Sequence, residues 1–194
     1  MAALCFAREF GGPLNTHVII HWGGTLAGDD TDGKLFAKFR YLLDKRLRRK
    51  FGLELTAIWV RERHRNKHSR RPSEVTHSHL LLHLPTQYHH AAIQDIEELV
   101  ALVARHILDD RTVQLTFPSN ADGKYLLKGG TKAVWDAFNL PHKWRSKLGE
   151  GVIESKRCGT TQNIGPAARL EWTAATRGIL NCQNTVRGSA SSRG

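Results

Sequence analysis

The order of hydrophobic periodicities along the chain constrains its fold more than any other feature of the sequence. Strand-like segments are rich in β-branched residues or alternate in polarity, and helical segments repeat apolar residues at helical spacing. The two kinds of segment follow one another along the chain. The strand-like segments are 15–22, 54–62, 76–85 and 112–117, and the helical segments are 33–51 and 88–108. The resulting order is β-α-β-β-α-β, which predicts an α+β protein with its helices and strands in one domain.

This element order is typical of the ferredoxin-like and RRM-like folds. We expect a four-stranded antiparallel sheet with both helices on one face and the functional site on the other. The second and third strands follow each other without a helix, so they should pair as a hairpin in the centre of the sheet. Gly52 is well placed to end the first helix.

The composition favours a nucleic-acid partner and excludes several other classes of protein. The 194 residues carry a formal net charge of +11, and a surface of this kind favours polyanions. The three cysteines are widely spaced, which argues against a disulfide framework or a cysteine-rich zinc site. No apolar run approaches the roughly 18–20 residues that cross a bilayer, and the first residues do not form a secretory signal. We expect a soluble, intracellular protein that does not contact a membrane.

The stretch THSHLLLHLP, residues 76–85, contains the strongest candidate site. On a β-strand, His77 and His79 point to the same face, close enough for two imidazole nitrogens to reach one metal ion. An imidazole-bound divalent metal usually needs a third protein ligand, and a carboxylate from the neighbouring strand is the simplest one. Glu62, at the hairpin end of the second strand, is the predicted third ligand. The alternative is that Glu62 is an exposed charge paired with a neighbouring arginine.

Other histidines and one glutamate near this site receive different interpretations. His83 lies two pleats from His79 and is predicted to be structural or DNA-facing. Glu74 is a weaker alternative metal ligand because it lies in the connection between the two strands. His17 and His21 share one face of the first strand and are interpreted as sheet-face or DNA-facing residues.

The segment DGKYLLKGG places Tyr125 and Lys128 three residues apart, so that both face the same way on a short helix at 124–128. A tyrosine hydroxyl is a poor nucleophile until a cation or metal stabilises the phenolate. Lys128 can supply that charge or position a phosphate. The alternative is an ordinary amphipathic helix, but a helix that follows the fourth strand can cross the sheet face above the histidines.

The connection between the second and third strands is strongly basic and is predicted to grip a DNA backbone. Its cationic residues are Arg61, Arg63, Arg65, Lys67, Arg70 and Arg71. Such contacts would make DNA binding strongly salt-dependent. Trp22 and Trp59 can either stack on bases or pack in the core, and the second is the expected role.

A carboxylate-ended strand, an H-x-H strand and a later Y-x-x-K helix, in this order, resemble the HUH endonuclease superfamily. The arrangement is most similar to the single-tyrosine replication initiators (Rep proteins) of rolling-circle plasmids and viruses. The resemblance covers residues 15–130 and is most specific at HSHLLLHLP and YLLKG. Two features depart from the pattern. Ser78 stands where these proteins usually have a bulky apolar residue that points into the core beneath the sheet, and the first strand, THVIIHW, does not clearly match the family's first motif.

The resemblance implies an enzyme that nicks and joins single-stranded DNA. His77, His79 and Glu62 would hold a divalent ion, Mn²⁺ or Mg²⁺, that polarises the scissile phosphate. Tyr125, helped by Lys128, would attack this phosphate and form a 5′-phosphotyrosine bond, leaving a 3′-hydroxyl that primes replication. The alternatives are a single-tyrosine transposase or relaxase with the same chemistry, or a non-catalytic single-stranded nucleic-acid-binding module.

The resemblance also implies a partner set and a domain division. The DNA partner would be single-stranded and could include an origin hairpin, and any helicase would be a separate protein. The site of action would be the bacterial cytoplasm or another intracellular site of replication. We expect a nuclease domain at 15–130, a helical extension at 131–184, and a disordered tail at 185–194.

Overall fold

The structure is a computed structural model, and its description covers most of the predicted nuclease domain and one segment near the C-terminus. The described residues are 2–9, 12–65, 74–107, 110–117 and 158–174. The predicted Tyr125 helix, the region 131–157 and the tail at 185–194 lie outside these ranges. The predictions for Lys67, Arg70, Arg71, Tyr125 and Lys128 therefore stay predictions.

A five-stranded antiparallel sheet organises the described residues, which confirms the α+β class. The strands are β1 (Thr16–His21), β2 (Ala57–Arg65), β3 (Glu74–Leu82), β4 (Val113–Thr116) and β5 (Cys158–Thr160). Their order across the sheet is β4-β1-β3-β2-β5, and every neighbouring pair is antiparallel. All four predicted strands are present, β2 and β3 pair as predicted, and β3 is the central strand.

The fifth strand was not predicted, so the expected count of four is corrected to five. β5 pairs with β2, with Gly159 opposite Trp59. A Cβ atom at Gly159 would lie 2.3 Å from the Trp59 ring. The strand can therefore reach β2 because it carries a glycine at this position. Three residues are also too few to show a strand periodicity in the sequence.

Four α-helices and three short 3₁₀ turns complete the described structure. The helices are α1 (Ala2–Glu9), α2 (Lys34–Phe51), α3 (His89–Val103) and α4 (166–174), and the turns are Trp22–Gly24, Thr86–Tyr88 and Gln162–Ile164. α2 ends as predicted at Gly52, whose positive φ of 66° suits glycine and lets its N–H bond to the Arg48 carbonyl. None of the described helices combines the length and apolar character that a membrane crossing needs.

The main core lies between one face of the sheet and the helices α2 and α3. The sheet contributes Val18 and Ile20 from β1 and Leu80 and Leu82 from β3. The helices contribute the predicted apolar stripes, of which the buried members include Phe39, Leu43, Leu47, Ile96, Leu99, Val100 and Val103. This packing fixes which side chains of β1 and β3 point away from the helices, and so defines the opposite face.

The two predicted helices, α2 and α3, lie on one face as expected, but α1 and α4 cover part of the opposite face, which was expected to be open. Phe6 of α1 and Trp172 of α4 meet edge-to-face, with their ring centroids 5.9 Å apart. Together with Ile164 they belong to a second hydrophobic cluster built on Leu81 and Ile58 of the sheet. This cluster occupies the end of the face at Leu81, and the histidines of β3 precede it along the strand.

Candidate metal centre

The register of three strands brings five polar side chains to one face of the sheet. β1 pairs with β3 so that His21 lies opposite His77, and β2 pairs with β3 so that Glu62 also lies opposite His77. Because side chains alternate along a strand, His79 and His17 share this face with them. We call these five residues the histidine cluster.

Distances within the cluster link its members into two contacting groups. The Nε2 atom of His79 lies 3.7 Å from the Oε2 atom of Glu62. On the other side of the same ring, the Nδ1 atom lies 3.3 Å from Nε2 of His17. The rings of His21 and His77 meet at a centroid distance of 4.2 Å. Both predicted histidine ligands therefore contact a histidine of β1.

Burial gives the cluster a low-dielectric environment in which polar interactions are strong. Glu62 is only 2% exposed and His79 only 6% exposed. The interpretation of Glu62 as an exposed strand-end charge is therefore wrong. Burial also lowers the pKa of His17 below its ordinary value of 6.5, which favours the neutral ring at pH 7.

The donor set fits a divalent ion of the type that binds imidazole and carboxylate. Within the described ranges, no three His, Cys, Asp or Glu side chains are already grouped to hold one. Two ligand atoms at about 2.0–2.2 Å from the same ion can be no more than about 4.4 Å apart. The 3.7 Å between His79 and Glu62 satisfies this limit. His77, directly opposite Glu62 on the same face, is the third candidate ligand.

Ser78, the departure from the resembled pattern, has a clear structural partner. Its side chain is fully buried on the helix-covered face, between the two histidines that face the other way. The indole Nε1–H of Trp22 donates a hydrogen bond of 2.8 Å to the Ser78 hydroxyl. A serine at this position thus satisfies a buried donor that an apolar residue would leave without a partner. Trp22 is fully buried and packs on Phe36, which confirms its expected core role.

The Trp22–Ser78 hydrogen bond should contribute measurably to folding stability. We expect Ser78→Ala to lower the free energy of unfolding by about 1–3 kcal/mol, because the buried indole N–H loses its acceptor. Urea unfolding of Ser78→Ala, Trp22→Phe and the double variant measures this. A loss in the double variant smaller than the sum of the two single losses, by about 0.5–3 kcal/mol, is the expected coupling. Strictly additive losses would show that the hydrogen bond does not stabilise the fold.

Arg61 does not belong to a DNA-gripping loop, and this part of the prediction is wrong. β2 continues to Arg65, so Arg61, Arg63 and Arg65 are strand residues rather than loop residues. Arg61 is 2% exposed, and its Nη2 donates to the backbone carbonyls of Asp30 and Thr31. Because Glu62 faces the histidines, the alternation of the strand sends Arg61 to the helix side.

The buried Arg61 helps to hold the loop that begins α2. Asp30 accepts hydrogen bonds of 3.0 Å from the backbone N–H groups of Leu35 and Phe36, and its carboxylate lies 3.8 Å from Arg61. These bonds satisfy amide donors at the helix start that would otherwise lack a partner. Burial raises the pKa of Asp30, partly offset by these backbone bonds and by the charge of Arg61. Arg61 is thus a structural residue in this fold.

The remaining predicted residues occupy simpler positions. His83 follows β3, and its Nδ1 lies 2.9 Å from the carbonyl oxygen of Pro13, a contact that supports the structural interpretation. Trp59 is buried with the Arg40 guanidinium 3.8 Å from its ring centroid, so it packs in the core as expected. Glu74 lies in β3 opposite Arg65, three residues before His77.

Sequence reasoning missed the membership of His17 and His21 in the cluster. The signal was present, because THVIIH places two histidines on one face of β1. What linked them to His77 and His79 was the pairing of β1 with β3, which the element order already implied.

Comparisons of the chain with protein-family models, with curated proteins and with solved structures each found no match.

Proposed function

We propose that this protein nicks and joins single-stranded DNA through a 5′-phosphotyrosine intermediate and so initiates rolling-circle replication of a plasmid or virus. The observation that carries the proposal is the contact between His79 and Glu62, 3.7 Å apart and buried, with His77 on the same face. The resemblance of the H-x-H and Y-x-x-K segments to HUH endonucleases gives this cluster its chemical role.

The strand order supports the same assignment. The order β4-β1-β3-β2, with the helices α2 and α3 on one face, supports a ferredoxin-like arrangement to which β5 is added. In that arrangement the metal ligands of the proposed enzyme stand on the central strand and its hairpin partner. The second hydrophobic cluster occupies one end of the functional face, and in this proposal DNA approaches from the histidine end.

In the proposed reaction the Tyr125 oxygen attacks the scissile phosphorus and the bond to the 3′-oxygen breaks. The tyrosine loses its proton and the 3′-oxygen gains one. The phosphate keeps its bond to the 5′-oxygen of the downstream nucleotide and becomes joined to the tyrosine oxygen. His77, His79 and Glu62 would hold a divalent ion, which would supply Lewis-acid polarisation of the phosphate. Lys128 stabilises the phenolate, and reversal of the same steps rejoins the strand.

The positions of the other tyrosines support Tyr125 as the nucleophile. The chain has three tyrosines, and the remaining two are Tyr41 and Tyr88. Tyr41 is an exposed residue of α2, and Tyr88 packs on Phe51 at the end of the same helix, with ring centroids 4.5 Å apart. Both therefore belong to the helix-covered side of the sheet, opposite the histidine cluster.

Charge supports single-stranded DNA as the substrate. The formal net charge is +11. Arg63, two residues after Arg61 in β2, shares the helix side of the strand with it, so the proposed backbone contacts are Arg65, Lys67, Arg70 and Arg71 at the β2–β3 end of the sheet. Phosphate contacts of this kind release counterions, so binding should weaken steeply as salt rises. An origin hairpin and a separate helicase are the partners that this function would need, in the cytoplasm of a bacterial host or at another intracellular site of replication.

The proposal is tested by incubating the protein with a labelled, sequence-randomised pool of single-stranded DNA in Mn²⁺ or in EDTA. We expect a DNA–protein adduct that survives denaturing electrophoresis in Mn²⁺ and is absent in EDTA. Sequencing of the released strands would then give the cleavage site, and the ability to reseal a supplied 3′-end would show joining. Salt-dependent binding with no adduct under any condition would instead favour the non-catalytic binding module.

A further inference from the structure

The contact between His17 and His79 has a chemical consequence for the candidate metal centre. Nε2 of His17 and Nδ1 of His79 lie 3.3 Å apart, within hydrogen-bonding distance, and the planes of the two rings are inclined to each other by only 22°. His17 pairs across the sheet with Leu81, so it reaches His79 diagonally from the next pleat. The contact therefore joins His17 on β1 to His79, the buried candidate ligand on β3.

A neutral imidazole carries one proton, and its position decides which nitrogen can bind a metal. The Nε2 atom of His79 is the one that faces Glu62. To bind an ion beside Glu62, this nitrogen must offer its lone pair, so the proton must sit on Nδ1. That proton then needs an acceptor, and Nε2 of His17 lies 3.3 Å from Nδ1.

We propose that His17 is a positioning residue that accepts the Nδ1–H of His79 and thereby holds the Nε2 lone pair of His79 toward Glu62. The proposal rests on the proposed metal-dependent function and adds a residue that acts through a ligand rather than on the ion. Histidine ligands commonly donate their second ring N–H to a carboxylate, a carbonyl or water. Here a second histidine on the neighbouring strand takes that place.

The second β1 histidine shows that the relation is specific to one ring. His21 meets His77 edge-on, with an interplanar angle of 65°. His17 and His79, in contrast, approach nitrogen to nitrogen. The nitrogen-to-nitrogen contact therefore assigns the tautomer-holding role for His79 to His17.

The test compares His17→Leu with His17→Gln. The carbonyl oxygen of glutamine can still accept a hydrogen bond from His79, whereas leucine cannot. We expect His17→Leu to weaken Mn²⁺ binding about 10–100-fold, the usual effect of losing a second-shell partner. His17→Gln should recover most of the affinity. Mn²⁺ titration followed by electron paramagnetic resonance measures both, and His90→Gln, at an exposed histidine of α3, is the matched control. Equal affinity of the leucine variant and the wild type would overturn the proposal.

Nitrogen-15 NMR of labelled histidines provides a readout that does not depend on catalysis or on metal binding. In the metal-free protein and in Mg²⁺, we expect wild-type His79 to carry its proton on Nδ1. In metal-free His17→Leu, the Nε2–H tautomer should become populated. A wild-type His79 with its proton on Nε2 would contradict the role of His17, whatever the nuclease assay shows. The expected tautomer in a protein that binds no metal would instead contradict the proposed function and leave the hydrogen bond established.

Discussion

Replacing His79 with alanine is expected to lower the rate of metal-dependent DNA cleavage by about 100-fold or more. A Lewis-acid metal supplies several kcal/mol of transition-state stabilisation, and each 1.36 kcal/mol corresponds to a factor of about ten in rate. His79 is the ring whose Nε2 lies 3.7 Å from Glu62, so its loss removes the centre of the candidate site. Adduct formation against time in Mn²⁺ measures the effect.

Two further variants separate chemistry from folding in this experiment. Glu62→Gln keeps the size of the side chain but removes its charge, and we expect a comparable loss of cleavage. His83→Ala is the matched histidine control, because His83 contacts the Pro13 carbonyl rather than the cluster. Urea unfolding checks that each variant remains folded. If the His79→Ala and Glu62→Gln proteins are folded and still cleave as fast as wild type, the candidate metal centre is not needed for cleavage.

Replacing Tyr125 with phenylalanine is expected to abolish the covalent adduct completely. Phenylalanine has no hydroxyl oxygen, so no phosphotyrosine bond can form, while the aromatic ring is retained. The metal ligands are unchanged, and Mn²⁺ binding should therefore remain at the wild-type level. Denaturing electrophoresis with labelled DNA, together with Mn²⁺ titration of the same preparation, measures both properties.

The chain supplies its own controls for this variant. Tyr41→Phe and Tyr88→Phe remove the other two tyrosines of the sequence, and both should leave adduct formation at the wild-type level. If Tyr125→Phe forms as much adduct as wild type and one of the control variants loses it, the nucleophile is Tyr41 or Tyr88, on the helix-covered side of the sheet. That outcome would contradict the proposed geometry.

Hydrophobic periodicity predicted the central part of the fold because each of its elements is long enough to show a pattern. α2 and α3 carry regular apolar stripes, and β1 to β4 carry β-branched or alternating residues. The pattern could not reveal β5, whose three residues hold no periodicity and whose glycine fits against Trp59 only after β2 has formed. The covering of Leu81 by α1 and α4 depends on tertiary contacts between segments far apart in sequence.

The candidate site was predictable where local strand geometry determined it. The β2–β3 hairpin places Glu62 opposite His77, and alternation places Ser78 beneath the sheet. The same alternation would have excluded Arg61 as a DNA contact, since neighbouring residues of a strand point to opposite faces. The role of His17 depends on the diagonal approach of one ring to another across the β1–β3 pair, and a linear pattern does not contain that distance.

Ser78 shows why a departure from a sequence pattern needs its three-dimensional partner. A serine between the two histidines departs from the HUH pattern, which usually has a bulky apolar residue there. In the fold, the hydroxyl accepts the indole N–H of Trp22, which itself lies at the end of β1. Serine and tryptophan thus form one buried pair that ties β1 to β3, the two strands that carry the four histidines of the cluster.

Peptide mapping of the DNA adduct tests the central claim most directly. The protein is incubated with its cleavable DNA strand in Mn²⁺ or EDTA, digested with nuclease and trypsin, and analysed by mass spectrometry. Cleavage after Lys124 and Lys128 yields the peptide YLLK, in which Tyr125 is the only hydroxyl-bearing side chain. We predict a nucleotide on this peptide in Mn²⁺ and none in EDTA. A nucleotide on a different peptide, or the same yield in EDTA, would contradict a metal-dependent phosphotyrosine mechanism.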